Sequence, residues 1–188
     1  EDKSNGASYA LELVSDLGTA IPVSAFDDPN STTSYHGRSR LGVKIQDGCD
    51  NRCTYCIVWK ARGAARSMDA EAIIRDVTDA FAAGIPEIVL TGIDLGNYAS
   101  TVGGRPVDLA GLMSRILANT DRGRLRLSSI EPPSITDDLI GLMATEPDRI
   151  CPHLHLPLQS GSDTILASMA RRYDSADFMA LVERLRHA

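Results

Sequence analysis

The sequence predicts an α/β fold of about four parallel strands with flanking helices over residues 41–188, preceded by an interdomain linker segment over residues 1–40. Three observations carry this reading. From Leu41 onward, short apolar runs alternate with segments of helical period. Their order is strand then helix, four times over, which implies parallel pairing through right-handed crossovers. Residues 1–40, by contrast, are polar and interrupted by Pro22, Pro29 and the run Asn30 to Ser34, with an apolar pattern only from Tyr9 to Leu17.

Each element has its own warrant. Gly42 to Gln46 reads as a first strand. Ile73, Ile74, Val77 and Phe81 make one helical face, opened by Ser67 or Asp69 as cap and closed by Gly84 and Pro86. Glu87 to Thr91 is a buried strand, and Leu109, Leu112, Met113, Ile116 and Leu117 mark a second amphipathic helix. Arg124 to Ile130 alternates as a third strand, ended by Pro132 and Pro133. Thr136 caps a short helix bearing Leu139, Ile140 and Met143. His153 to Leu158 is the fourth strand, short or irregular at Pro157. Ile165, Leu166 and Met169 lie on one further helix, and Phe178, Leu181, Val182 and Leu185 on the last. Four units are too few for a closed eight-stranded barrel, so the chain reads as a fragment. An exposed sheet edge where it stops would invite self-association, which light scattering tests.

Composition narrows the function. Hydrophobic residues make up 43% and charged residues 23%, ordinary values for a folded domain. No stretch reaches the roughly 20 apolar residues of a membrane span, and EDKSNGASYA lacks the order of a signal peptide. A cytoplasmic protein without a membrane partner is expected. A net charge of −6 argues against gripping nucleic acid with the whole surface. It leaves room for a local basic face, for which Arg62 with Arg66, Arg122 with Arg124 and Arg126, and Arg171 with Arg172 are the candidates.

The four cysteines are the chemical signal. Cys49, Cys53 and Cys56 form a C-x3-C-x2-C run just after the first strand, while Cys151 stands alone as a buried small hydrophobe. Random placement of so few cysteines would give that spacing about 0.002 times, so the run is not an accident of composition. In a leaderless chain it reads as a metal site: an iron–sulfur cluster, or zinc with a fourth ligand from His36, Cys151 or an Asp. Three thiolates on one loop suit a cubane with one iron left open. His153 and His155, two apart on one strand, share a face, read as interior histidines. Gly92, Gly96, Gly103 and Gly104 match no phosphate-cradle spacing.

The run, with Tyr55 before its last cysteine, is similar to the signature of radical S-adenosylmethionine (SAM) enzymes. The string from Lys44 to Val58 resembles the methylthiotransferases among them. Ile88 to Gly96, Arg126 to Pro132, His153 to Gly161 and Met169 to Tyr173 resemble the members that methylthiolate N6-threonylcarbamoyladenosine in tRNA, and the likeness covers about residues 36–188. Two departures, Trp59 for the usual Pro and Met68-Asp69 for the usual Arg-Pro, concern the shape of the loop leaving the cysteines.

The resemblance implies a partial (β/α) radical SAM barrel, truncated before its later strands. It implies a 4Fe–4S cluster on Cys49, Cys53 and Cys56 as metal ligands, with SAM chelating the fourth iron and yielding a 5′-deoxyadenosyl radical on reduction. Cofactor-binding roles are expected for Tyr55 beside SAM, for Thr91, Gly92 and Asp94 after the second strand, for Ser129 and Glu131 after the third, and for Gln159 and Ser160 after the fourth. No catalytic residue is assigned. A second 4Fe–4S cluster is expected only in an N-terminal domain outside this chain, so the chain alone is expected not to insert sulfur. tRNA is the expected substrate, and a flavodoxin or ferredoxin the electron donor. The alternatives are the same chemistry on isopentenyl-adenosine tRNA or a ribosomal-protein aspartate, a zinc-stabilised binding module without catalysis, and an electron-transfer protein. The last is disfavoured because such centres normally have four cysteine ligands.

Overall fold

The computed structural model describes residues 39–188, so the expected linker lies outside the described residues except for Ser39 and Arg40. In chain order the elements begin with β1 (Leu41–Lys44), β2 (Gln46–Asp47), α1 (Val58–Ala61), β3 (Arg66–Ser67), α2 (Ala70–Ala82) and β4 (Glu87–Thr91). They continue with β5 (Ala99–Val102), β6 (Arg105–Asp108), α3 (Leu109–Ala118), β7 (Arg124–Leu127), α4 (Asp137–Thr145), α5 (Asp163–Ser168) and α6 (Ser175–His187).

The central sheet is parallel, in the order β1-β4-β7. Leu41 pairs with Ile88 and Lys44 with Thr91, while Glu87 pairs with Arg124 and Leu90 with Leu127. Side chains from α2 (Ile73, Val77, Phe81) and α3 (Leu112, Met113, Ile116) form one core with Ile88, Leu90, Leu125 and Leu127 of the strands. Burying each such side chain contributes about 1.5–3 kcal/mol. Phe81 fits because residue 123 is glycine. A Cβ there would lie 2.2 Å from the Phe81 ring, and the φ of +77° already disfavours any other residue.

The predicted caps form. Asp69 accepts a hydrogen bond from the Ala72 N–H at 2.9 Å to open α2, and Thr136 accepts from the Leu139 N–H at 3.2 Å to open α4. Three features depart from the sequence reading. The first strand stops at Lys44, and residues 46–47 turn away to pair antiparallel with β3. A β5–β6 hairpin fills the crossover before α3, its Gly103-Gly104 turn having both φ angles positive, as a type I′ turn requires. The fourth strand expected over His153–Leu158 is not a ladder. The stretch from Ile150 to His155 runs parallel to residues 125–129 but meets them only by single bridges, Leu125 with Ile150 and Ser129 with His155. Pro152 and Pro157 have no N–H to donate, which interrupts regular pairing.

The amino-terminal end of the sheet is closed by an ion cluster. Glu87 opens β4 with its side chain 9% exposed and meets Arg126 at 2.6 Å, Arg40 at 2.9 Å and Arg124 at 3.5 Å. The hydrogen bond from Arg126 outweighs the opposing effect of burial, and with the nearby arginine charges it holds the Glu87 carboxyl below the ordinary glutamate range.

Candidate metal and cofactor site

The cysteine loop leaves β2 at the carboxyl edge of the sheet, where β4 and β7 also end. Its position is set by Gln46, which is fully buried. The Gln46 Oε1 accepts from the N–H groups of Ile93 at 3.0 Å and Asp94 at 2.7 Å. Its Nε2 donates to the carbonyls of Asp47 at 3.0 Å and Gly48 at 2.9 Å. One amide therefore ties the start of the loop to the segment after β4. Gly92 makes this possible, since a Cβ there would stand 3.0 Å from the Gln46 Cβ.

Gly48 is the second fixed point. Its φ is +71°, and a Cβ would lie 2.0 Å from the Ala64 carbonyl oxygen. Cys49 N–H donates to the Gly63 carbonyl at 3.1 Å, closing the loop on itself. Beneath it, the buried Asp47 carboxylate is met by Arg66 at 2.8 Å, Lys44 at 3.0 Å and Arg62 at 3.3 Å. Burial alone would raise the Asp47 carboxyl. The hydrogen bonds from Lys44 and the Gly48 N–H, with the charges of Lys44 and Arg66, prevail and lower it.

The three thiols are free and half-buried, in two contrasting settings. The Cys49 thiol donates to Asp94 Oδ2 at 3.6 Å. The same oxygen accepts from Asn51 Nδ2 at 3.0 Å and Asn97 Nδ2 at 2.5 Å. Burial, aided by the Asp94 charge and hydrogen bond, pushes the Cys49 thiol up. Asp94 itself is 3% exposed, and its Oδ1 is buried without a hydrogen-bond partner. Cys53 faces a cation instead, with Arg171 Nη1 donating to its Sγ at 3.4 Å. The Arg171 side chain is 4% exposed and paired with Glu131 through Nη2. Its Nη1 also reaches the Tyr55 hydroxyl at 3.4 Å.

Cys49 with Asp94, and Cys53 and Tyr55 with Glu131 through Arg171, are thus brought together from distant parts of the sequence. Tyr55 is 54% exposed, so it is not a core aromatic. Burial of part of its ring nonetheless pushes the phenol up, against the Arg171 charge. Thr91 turns back, its hydroxyl donating to the Val43 carbonyl at 3.3 Å. Ser129 Oγ lies 2.6 Å from His155 Nδ1. Ser160 Oγ accepts from the Ser162 N–H at 3.1 Å, and Gln159 is exposed with a φ of +67°. None of the hydrogen bonds of Ser129, Gln159 or Ser160 reaches the cysteine loop.

Gln46, Asn51, Arg171 and Tyr173 are site residues that the sequence reading did not single out. In the sequence Arg171 and Arg172 stand together as a candidate basic face, but only Arg172 is exposed. The departures at 59 and 68–69 are accommodated. Arg52 lies over the Trp59 ring at 4.1 Å, the Met68 carbonyl accepts from the Tyr98 hydroxyl at 3.0 Å, and Asp69 caps α2.

The donor set fits an iron–sulfur cubane. Among the described residues, no three His, Cys, Asp or Glu side chains gather as a single ion requires. A tetrahedral zinc would draw its thiolates to about 3.8 Å from one another, given Zn–S bonds of about 2.3 Å. A cubane takes one thiolate at each of three irons, which three cysteines on one loop can supply. The unpartnered Asp94 Oδ1 is an acceptor of the kind an ammonium ligand would fill.

Comparison with known proteins gives this geometry its family. The threonylcarbamoyladenosine tRNA methylthiotransferase MtaB of Thermotoga maritima is 38% identical over 154 residues, covering 81% of this chain and 35% of the relative. The tRNA-2-methylthio-N(6)-dimethylallyladenosine synthase of Dictyoglomus thermophilum is 42% identical over 144 residues, covering 77% and 32%. The chain therefore spans about a third of the length of these curated relatives. Among solved structures, the radical S-adenosylmethionine methyltransferase TsrM from Kitasatospora setae, with tryptophan and aza-SAM bound, matches with a TM-score of 0.62. The identity is 16%, over 79% of this chain and 28% of that one, a likeness of fold alone. The sequence profile of the Radical SAM superfamily matches residues 43–188, from β1 through the last helix. A three-cysteine loop at the carboxyl edge of that parallel sheet completes the correspondence, and the chain belongs to the radical SAM superfamily.

Proposed function

We propose that this chain is the cofactor-holding part of a tRNA methylthiotransferase, in which Cys49, Cys53 and Cys56 bind a 4Fe–4S cluster and SAM lies beside it. In the intact enzyme, C2 of N6-threonylcarbamoyladenosine at position 37 of tRNA would receive the methylthio group. The observation that carries this is the set of three free thiols on one loop, with Asp94 hydrogen-bonded to Cys49 and Glu131 linked to Cys53 through Arg171. The identity to tRNA methylthiotransferases over about four-fifths of the chain supports the substrate class.

When bound, the cluster and SAM supply one-electron reductive cleavage of a carbon–sulfur bond. The protein's share is binding and orientation. Asp94 would offer its unpartnered oxygen to the SAM ammonium, and the Thr91–Gly92 backbone after β4 would lie alongside. Glu131 after β7 and Tyr55, both linked to Arg171, would border the cofactor. Gln159 would contribute to its pocket, and Ser129 and Ser160 would do so only if their side chains turn from their present partners. A flavodoxin or ferredoxin would supply the electron. The setting would be the cytoplasm; no described helix is long and apolar enough to cross a membrane.

The test is anaerobic reconstitution with iron and sulfide, then reduction with SAM, assaying iron, sulfide and 5′-deoxyadenosine. A cluster with deoxyadenosine formation, both lost in Cys53→Ala, is expected. Tight zinc with no iron would overturn the reading. Mass spectrometry of tRNA from a strain lacking the gene then tests the substrate. A missing methylthio group on threonylcarbamoyladenosine is expected; loss from the dimethylallyl nucleoside instead would favour the second substrate, which the 42% identity to the Dictyoglomus synthase keeps in view.

A further inference from the structure

We propose that Arg171 is a positioning residue for the cluster, holding Cys53 in place and raising the cluster's reduction potential; this rests on the iron–sulfur reading above. The segment after α5 is built as a brace for the cysteine loop. Thr54 donates its N–H to the Met169 carbonyl at 3.2 Å and its hydroxyl to the Ser168 carbonyl at 3.0 Å. Ala170 then takes a φ of +56°, a left-handed conformation that costs a non-glycine residue and is kept where surroundings impose it. That turn delivers the Arg171 guanidinium to Cys53.

Glu131 and Tyr173 hold the guanidinium, whose Nε is buried without a hydrogen-bond partner. Nη2 pairs with Glu131 and reaches the Tyr173 hydroxyl at 3.4 Å, and the cation lies 5.2 Å from the Tyr173 ring centre. Tyr173 is anchored in turn, its hydroxyl directed at the Pro157 carbonyl at 2.6 Å. Such fixing leaves Nη1 shared between the Cys53 sulfur and the Tyr55 hydroxyl, each at 3.4 Å. A flexible surface arginine would have no reason to be 4% exposed. An N–H donated to a ligating thiolate draws charge off sulfur and favours the more negative, reduced cluster. Because the site is partly buried, that effect is weakly screened.

The experiment uses the intact enzyme, reconstituted anaerobically, and reads iron and sulfide content together with the midpoint potential of the electron-paramagnetic signal that shifts on adding SAM. The double variant Arg171→Met with Glu131→Gln removes cation and counter-ion together, leaving no uncompensated charge. It should keep a cluster whose reduction is disfavoured about tenfold, a shift of about 59 mV to more negative potential. Glu131→Gln alone leaves Arg171 uncompensated and should shift the potential the opposite way. If the double variant does not fold, the single variant still decides, since an unchanged potential there overturns the proposal. Unchanged potentials with a tenfold weaker SAM affinity would likewise overturn it and place Arg171 at the SAM carboxylate. A parent enzyme that takes up no iron would defeat the cluster reading itself, which is a different result.

Discussion

The two ends of β4 carry buried carboxylates with opposite fates. Glu87 at the start is met by three arginines, and every demand of its charge is answered within the protein. Asp94, three residues past the end, has no cation beside it among the described residues. It accepts from two side-chain amides and a thiol on one oxygen and leaves the other buried and unpartnered. A buried charge without a cation is costly, and a fold tolerates it where a ligand completes the set. One strand thus shows both uses of a carboxylate: closing the sheet at its amino end and waiting for a partner at its carboxyl end.

Substitutions can break this contrast. The largest effect is expected from Gly48→Ala, because the new Cβ meets a backbone oxygen at 2.0 Å and the φ is positive. A loss of about 3–5 kcal/mol, with poor iron retention, should show in thermal melts and iron analysis. Glu87→Ala comes next, at about 3 kcal/mol, since it strands Arg126, whose side chain is 17% exposed. Chemical denaturation would measure it.

A pH series sharpens the same end. The Glu87 carboxyl is lowered on folding, so its stabilising effect is complete above the unfolded glutamate pKa of about 4.3 and fades as pH falls through the lower native value. Between pH 5 and 3, Glu87→Gln should therefore lose less stability than the parent. The smallest effect on stability belongs to Asp94→Asn, expected under about 1 kcal/mol because the shape is kept and no cation is stranded. Its SAM affinity should nevertheless fall at least tenfold by titration calorimetry. Equal stability losses for Asp94→Asn and Glu87→Gln would erase the distinction between the two ends.

What could be read from sequence follows the physics of range. Helix faces and caps are local, so Asp69 and Thr136 were identifiable as caps from their places ahead of apolar periods. The parallel strands through Leu90 and Leu127 were visible as short apolar runs. The hairpin at Gly103-Gly104 is signalled by its two-glycine turn, but the short polar strands on either side carry no apolar alternation that would mark them. The three-cysteine run announces itself by spacing, and the family string includes residues 169–173. Arg171 was missed as an individual because its burial depends on Glu131 and Cys53, 40 and 118 residues away, and nothing in the local run distinguishes it from its exposed neighbour. Gln46 is similar: a polar residue at a strand end looks exposed until its two partners beyond β4 are known.

The brace from residues 168–171 also sets an order of events during synthesis. All three cysteines have left the ribosome more than a hundred residues before Met169 and Arg171, the groups that hold Thr54 and Cys53. Chains grow at about 5–20 residues per second, so for several seconds or more the nascent loop has its thiols but not its clasp. A chain stopped short of Met169 would present its three thiols on an unclasped loop.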